Sequence, residues 1–476
     1  MANVYAIANG NWSAGATWNT GVVPTSADDV FTNNFTVNMD VNATVISLRN
    51  TASAPIVAGG SFNFNTAGVT VSATSTSASL SAGATNLITV TATTGTVTLS
   101  LGSAVTGLGV VSTQIFNYTG NCNFTLNGVR FTGGTTTSAV CINKSSTGTI
   151  TIVGDLYGNV GGNFAHALSS TAGNTVVTGN IIGAGSSFGI NQSAGNVTVT
   201  GNVTGGTASN IHGISLTGAA SQFTINGDVR GGSGGSAHGI SFGGTLGTVN
   251  GNVTGGGSDA HGVATSTGGV NVTGNVIGNI GNGLRIGASS TVVGNVFAGG
   301  STPGITNGLS NNSFTVTVTG DVYASTTQAG IQLTGTGTQV VNLTGNMYNT
   351  LGRSAIWCPN VFISNTATTL WRMDTGGGNY KFLYSADSTP NLPPQTDVRF
   401  GTTFGPSLSL TGTMVVPSAS DVRENVPVDN TLGTGELTSA DIISGINASS
   451  DSLAVRLKNT LTDTTAGNII SQYNNS

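Results

Sequence analysis

The sequence predicts an all-β chain, wound as a right-handed parallel β-helix with coils of about 24 residues. Three observations predict it. A triplet of Gly, then Asn or Asp, then an aliphatic residue recurs nine times, from Gly154-Asp155-Leu156 to Gly345-Asn346-Met347, at intervals of 20 to 26 residues. Runs of alternating β-branched residues, such as Val197-Thr198-Val199-Thr200 and Phe314-Thr315-Val316-Thr317-Val318, lie between the triplets. No stretch of the repeats carries apolar residues at helical spacing.

Each observation has a physical basis. A period in the twenties marks a solenoid, in which a repeat can bury its apolar face only against its neighbours. Alternation puts one set of side chains inward and the other outward on a strand. The Gly, Asn and Ser clusters between runs tolerate the positive φ angles that corners need.

The triplet itself is a corner. Stacked coils lie about 4.8 Å apart. Asp155, Asn180, Asn202, Asp228, Asn252, Asn275, Asn295, Asp321 and Asn346 therefore form one column, a ladder whose side chains reach backbone groups of the adjacent coil. No two of its three aspartates fall on adjacent coils, which avoids like charges at strand spacing.

A second register follows the first by 8 to 13 residues and reads His166-Ala167-Leu168, Phe188-Gly189-Ile190, His212-Gly213-Ile214, His238-Gly239-Ile240 and His261-Gly262-Val263. It continues through Asn282, Asn307, Ala329 and Ser354, and all four histidines of the chain occupy it. His212, His238 and His261 fall on successive coils, which allows three readings. Neutral rings can pack as a column, neighbouring imidazoles can hold a transition metal, or the column can sense pH, because charging stacked rings together is unfavourable.

Charged residues make up 6 % of the chain, and 12 Lys and Arg against 17 Asp and Glu leave a net charge of −5. Without a basic stripe, nucleic acid is not an expected partner. No apolar run approaches the ~20 residues of a membrane span, and Met1 to Trp12 lacks the pattern of a signal peptide. Cys122, Cys141 and Cys358 form no disulfide framework, and Cys141 and Cys358 read as buried small hydrophobes.

The expected organisation has four parts. Residues 1–60 form an N-terminal β cap or attachment segment, and 61–365 form the shaft, with its clearest repeats over 121–365. Residues 366–395 are a closing aromatic and Pro-rich segment, and 396–476 are a C-terminal module. Trp12 and Trp18, set among Gly and Pro, suit a cap over the first coil's open edge or, alternatively, an exposed docking anchor. In the last module Ser450-Asp451 can cap a short helix whose Leu453, Leu457 and Leu461 share one face, a stripe that needs a partner.

Both ends resemble known proteins. Leu410-Thr-Gly-Thr-Met-Val-Val-Pro417, the twice-occurring Pro-x3-Asp-Val-Arg at Pro393 and Pro417, and Val426-Pro427-Val428-Asp429-Asn430 are similar to C-terminal modules of tailed-phage structural proteins. The N-terminal Gly10-Asn11-Trp12-Ser13, Thr17-Trp18, Val23-Pro24 and Asp28-Asp29-Val30 pattern resembles the starts of fibre-like β-helical proteins of the same kind. The resemblance covers roughly the first 50 and last 70 residues. It implies a virion fibre or spike, commonly a homotrimer, assembled in the host cytoplasm, displayed outside on the particle beside other virion proteins and contacting a host glycan or protein.

Such spikes include polysaccharide depolymerases. Glycoside hydrolysis needs two carboxylates about 5 to 10 Å apart. The only glutamates, Glu424 and Glu436, lie outside the shaft, and the only shaft acid off the ladder is Asp259, two residues before His261. That pair reads either as a general base or as a solvated turn beside a stacked ring. The expectation is a non-enzymatic structural protein without cofactor or metal. The alternatives are a depolymerase and a bacterial surface adhesin.

Overall fold

A computed structural model describes residues 2–83, 86–105, 116–133, 140–158, 166–300, 302–307, 313–323, 331–332, 339–345 and 347–348. Beyond these it describes 356–357, 361–365, 371–374, 380–383, 401, 403–404, 410–411, 413, 427–428 and 431–432. Among the described residues the only helical element is one 3-10 turn, Gly15–Thr17. The chain divides into two compact units, Met1–Ser388 and Thr389–Ser476.

The first unit is a parallel β-solenoid. One face is a sheet of 15 strands, from Gly10–Asn11 to Ile356–Trp357. Successive coils pair in register, so Ile190 stands opposite Ile214 and Ile214 opposite Ile240. Further along, each coil adds a longer strand such as Asn174–Thr178 and a short one such as Ile181–Ile182. In Thr149–Tyr157 these two are one continuous strand; from Gly179 onward the Gly-Asn corner splits them.

Alternation decides which way each side chain points. Phe314–Thr319 buries Phe314, Val316 and Val318 and turns its threonines outward. The inward column through Ile152, Val177, Val199, Ile225 and Val249 is fully buried. Burying each such side chain contributes roughly 1.5–3 kcal/mol. A one-residue slip would exchange most of that column for threonine, namely Thr151, Thr198, Thr224 and Thr248, so the register is strongly specified.

Parallel stacking begins earlier than the expected start of the shaft at residue 61. Ala2–Tyr5, Asp28–Phe31, Ser47–Arg49 and Leu80–Ser81 form a four-stranded parallel sheet. Gly10–Asn11 and Thr36–Asn38 already belong to the 15-stranded sheet. These coils turn without the Gly-Asn triplet, using left-handed Asn33 and Asn34 at φ 49° and 65° among other residues. A search for the triplet therefore cannot register them.

Trp12 and Trp18 are each 1 % exposed. Their rings meet edge to face at 5.0 Å, and Trp12 lies 6.2 Å from Phe62. The Trp18 indole N–H donates to the Trp12 carbonyl at 2.9 Å. Ile7 N–H donates to Thr17 O and Asn19 N–H to Tyr5 O, so this short segment runs antiparallel along the first strand. Both indoles belong to the core, and neither is an exposed anchor.

Trp371–Asp374 pairs antiparallel with Tyr380–Leu383. In the second unit the described strands form two antiparallel pairs, Thr403–Phe404 with Leu410–Thr411 and Pro427–Val428 with Thr431–Leu432. The expected helix with Leu453, Leu457 and Leu461 lies outside the described residues.

The corner glycines set up a direct test. Gly201 has φ +144°, and a Cβ there would land against the Gly179 carbonyl of the preceding coil. Gly68, at φ +82°, has nothing within 4 Å of that position. Gly68→Ala should cost about 1–2 kcal/mol from left-handed backbone alone. Gly201→Ala should cost clearly more, because it must also push two coils apart. Equal losses in urea unfolding would contradict the stacked corner.

Candidate functional site

The Gly-Asn corners form a continuous hydrogen-bonded column. Asn180 N–H donates to Asp155 Oδ1 at 2.7 Å, Asn202 N–H to Asn180 Oδ1 at 3.0 Å, and Asp228 N–H to Asn202 Oδ1 at 2.8 Å. Asn252 N–H continues to Asp228 Oδ1 at 2.7 Å and Asn275 N–H to Asn252 Oδ1 at 2.9 Å. Asn295 N–H donates to Asn275 Oδ1 at 3.0 Å, and Asp321 N–H to Asn295 Oδ1 at 2.8 Å. Each side chain thus satisfies a backbone donor one coil away that no strand ladder reaches. Asn346 lies outside the described residues.

The second register repeats this arrangement with rings. His166, Phe188, His212, His238 and His261 stack, with centroids 4.9, 5.4, 4.8 and 4.6 Å apart and planes within 17° of parallel. Each imidazole Nδ1 accepts the backbone N–H of the residue in the same slot one coil on. Phe188 N–H reaches His166 at 3.1 Å, His238 N–H reaches His212 at 3.1 Å, and His261 N–H reaches His238 at 3.1 Å. Asn282 N–H reaches His261 at 3.0 Å.

That geometry sets the tautomer. A neutral imidazole whose Nδ1 lone pair accepts a hydrogen bond carries its proton on Nε2. Neither nitrogen then has a lone pair free for a metal. Parallel rings also aim their equivalent nitrogens side by side rather than at one point. Among the described residues no group of three or more His, Cys, Asp or Glu is arranged to hold an ion. The structure brings His212, His238 and His261 together as a packed column, in a form that disfavours ligation. Burial lowers the imidazoles of His166, His212 and His261 to about 4. His238 falls to about 3, from burial first and then from His261, His212 and Arg285.

Asp259 is exposed on a turn at φ +55°, in the position held by Asn210 and Ser236 on the two preceding coils. No hydrogen bond joins it to His261, whose Nδ1 is taken by Asn282 N–H. It is one of a series of left-handed turn residues, and the general-base geometry is not formed.

Sequence reasoning missed a polar column inside the solenoid. Tyr118, Lys144, Ser170 and Gln192 stand in register on the 15-stranded sheet. Each donates to a turn carbonyl beyond its own strand, namely Tyr118 Oη to Cys122 O, Ser170 Oγ to Ala172 O at 3.5 Å and Gln192 Nε2 to Ala194 O at 3.2 Å. Lys144 is fully buried, donates to Ser146 O at 2.6 Å and to Ala172 O, and is lowered by burial to about 8. Its place two residues after inward Ile142 was the available signal. Cys122 and Cys141 are buried and free, and burial raises both thiols. On the outer face Asn196, Thr198, Gln222, Thr224, Leu246 and Thr248 border an open groove across three coils, lined by amides and hydroxyls together with exposed Leu246.

Two outcomes follow from these columns. Asn252→Ala removes the acceptor for Asn275 N–H, a part-buried bond, and should cost roughly 0.5–1.5 kcal/mol. Asn271→Ala, at an exposed position with no side-chain bond, should cost a small fraction of that; similar costs in thermal melts would contradict the ladder. Chelation should leave the melting temperature unchanged, since each imidazole Nδ1 is already taken by a backbone N–H and Nε2 carries the proton. A fall reversed by zinc or nickel would establish a metal site.

No protein-family model, curated protein or solved structure matches the chain.

Proposed function

We propose that the chain is a non-enzymatic structural fibre or spike of a tailed-phage virion, a homotrimer displayed outside the particle and contacting the host surface. The observation that carries the reading is the uninterrupted stitching of successive coils from Asp155 to Asp321. A shaft so joined suits mechanical display more than a mobile catalytic cleft. The similarity of both ends to phage structural proteins supports the placement on a virion. The uncharged groove, with amides, hydroxyls and exposed Leu246, suits contact with a neutral host glycan or protein. The described carboxylates of the repeats support no hydrolytic pair, since Asp155, Asp228 and Asp321 belong to the corner and Asp259 to an exposed turn.

Antibody against the purified chain should label projections on phage particles in electron micrographs. Label confined to the surface of uninfected bacteria would overturn the reading in favour of an adhesin. Capsular polysaccharide incubated with the protein should keep its chain length, and shortening would make it a depolymerase. Light scattering should report three copies. A monomer would remove the trimeric fibre.

A further inference from the structure

We propose that the ring column from His166 to His261 is an acid-sensitive latch on one edge of the solenoid, closed while its imidazoles are neutral and opened locally when they are protonated. The inference rests on the hydrogen bonds of the column and stands whether or not the chain belongs to a virion.

The chemistry is specific to the Nδ1 contact. A neutral ring here already carries its proton on Nε2, so the next proton can add only at Nδ1. That nitrogen then changes from acceptor to donor and faces the N–H it had been receiving. Four backbone donors, those of Phe188, His238, His261 and Asn282, would lose their acceptors. His212, His238 and His261 would also place positive charges at ring separations of 4.8 and 4.6 Å. Stacking that favours neutral rings would oppose charged ones.

The surroundings offer little compensation. The charged groups on neighbouring elements are Arg230 on Val229–Arg230, Arg285 on Leu284–Ile286 and Asp259 on the turn before His261. Arg285 disfavours the charged form of His238 and His261, and only Asp259 acts the other way, on His261. The strands that follow the rings, Ile214–Leu216, Ile240–Phe242 and Val263–Thr265, carry no charge. The Gly-Asn corner differs: its amides at Asn180, Asn202, Asn252, Asn275 and Asn295 do not titrate, and a carboxyl at Asp155 or Asp228 keeps an acceptor oxygen even when protonated. Protonation therefore removes backbone acceptors at the ring column and not at the Gly-Asn corner.

The direction with pH follows from linkage. The folded imidazoles lie near 4, and His238 near 3, against an ordinary value of 6.5. Below pH 6.5 the unfolded chain binds protons that the folded column refuses. The column's contribution is complete above that value, declines as pH falls and is lost once pH passes below the folded values.

Phe188 supplies the control within the molecule. It occupies the same slot and stacks between His166 and His212 without any ring nitrogen. A chain carrying His212→Phe, His238→Phe and His261→Phe keeps the stack and removes three of the column's four titrating rings, leaving His166. Melting temperatures measured at about pH 7.5 and about pH 4.5 should fall more for the natural chain than for this variant. Its carboxylates are common to both chains and cancel in the comparison. An equal or smaller fall in the natural chain overturns the latch. Should the variant fail to fold, nitrogen-15 histidine spectra of the natural chain decide the matter. Rings in the Nε2–H form that do not titrate between about pH 7 and 5 support the latch, and Nδ1–H rings or titration near the ordinary value overturn it.

Discussion

The solenoid depends on one constraint: the N–H of the corner Asn or Asp has no strand partner, and a hydrogen bond made for it contributes about 0.5–1.5 kcal/mol. Strand amides and the corner glycines pair with carbonyls of the next coil, but the N–H of the corner Asn or Asp does not. Here the acceptor comes from a side chain one coil away, and the same solution is used twice. At one corner the acceptor is Oδ1 of Asn or Asp; at the ring slot it is Nδ1 of histidine. Because each bond spans neighbouring coils, the corners add to the stacking that the sheets already supply.

This constraint explains the neighbours of each acceptor. Glycine precedes the corner residue because a Cβ would meet the carbonyl of the glycine one coil earlier, at Gly179, Gly201, Gly227 and onward. An aliphatic residue follows because the chain then enters a short strand, where Ile181, Val203, Val229 and Val253 are buried. Low charge fits the same logic. Equivalent positions on adjacent coils sit at strand distance, so charge at a stacked position repels its own repeat. Uncharged Asn carries most of the column, and Asp155, Asp228 and Asp321 are separated by coils that carry Asn.

Much of this was legible in the sequence wherever the same physical requirement recurs on every coil. The corner triplet, the alternating strands and the common slot of the histidines all repeat, so their columns can be read without coordinates. The first coils were illegible because their corners vary: Asn33 and Asn34 turn one, Gly59 and Gly60 another, with no shared spacing. The direction of each imidazole was illegible for another reason. A histidine in register can point Nδ1 or Nε2 at its neighbour, and only geometry shows that Nδ1 is occupied. Lys144 sat at an inward position by parity, yet a single lysine offers no repeat to reveal that carbonyls would receive it. Trp12 and Trp18 allowed a core or a surface reading until their burial was seen.

The central claim is that corner amides are held from one coil to the next. Residue-resolved hydrogen exchange tests it most directly on the backbone N–H groups of Asn202, Asp228, Asn252, Asn275 and Asn295. These lie outside the strands, where unpaired turn amides exchange quickly. Stitched corners require protection comparable to that of strand amides such as Val199 and Val249. Exchange at the rate of an open turn, with the strands still protected, would contradict the side-chain column as the element that joins the coils.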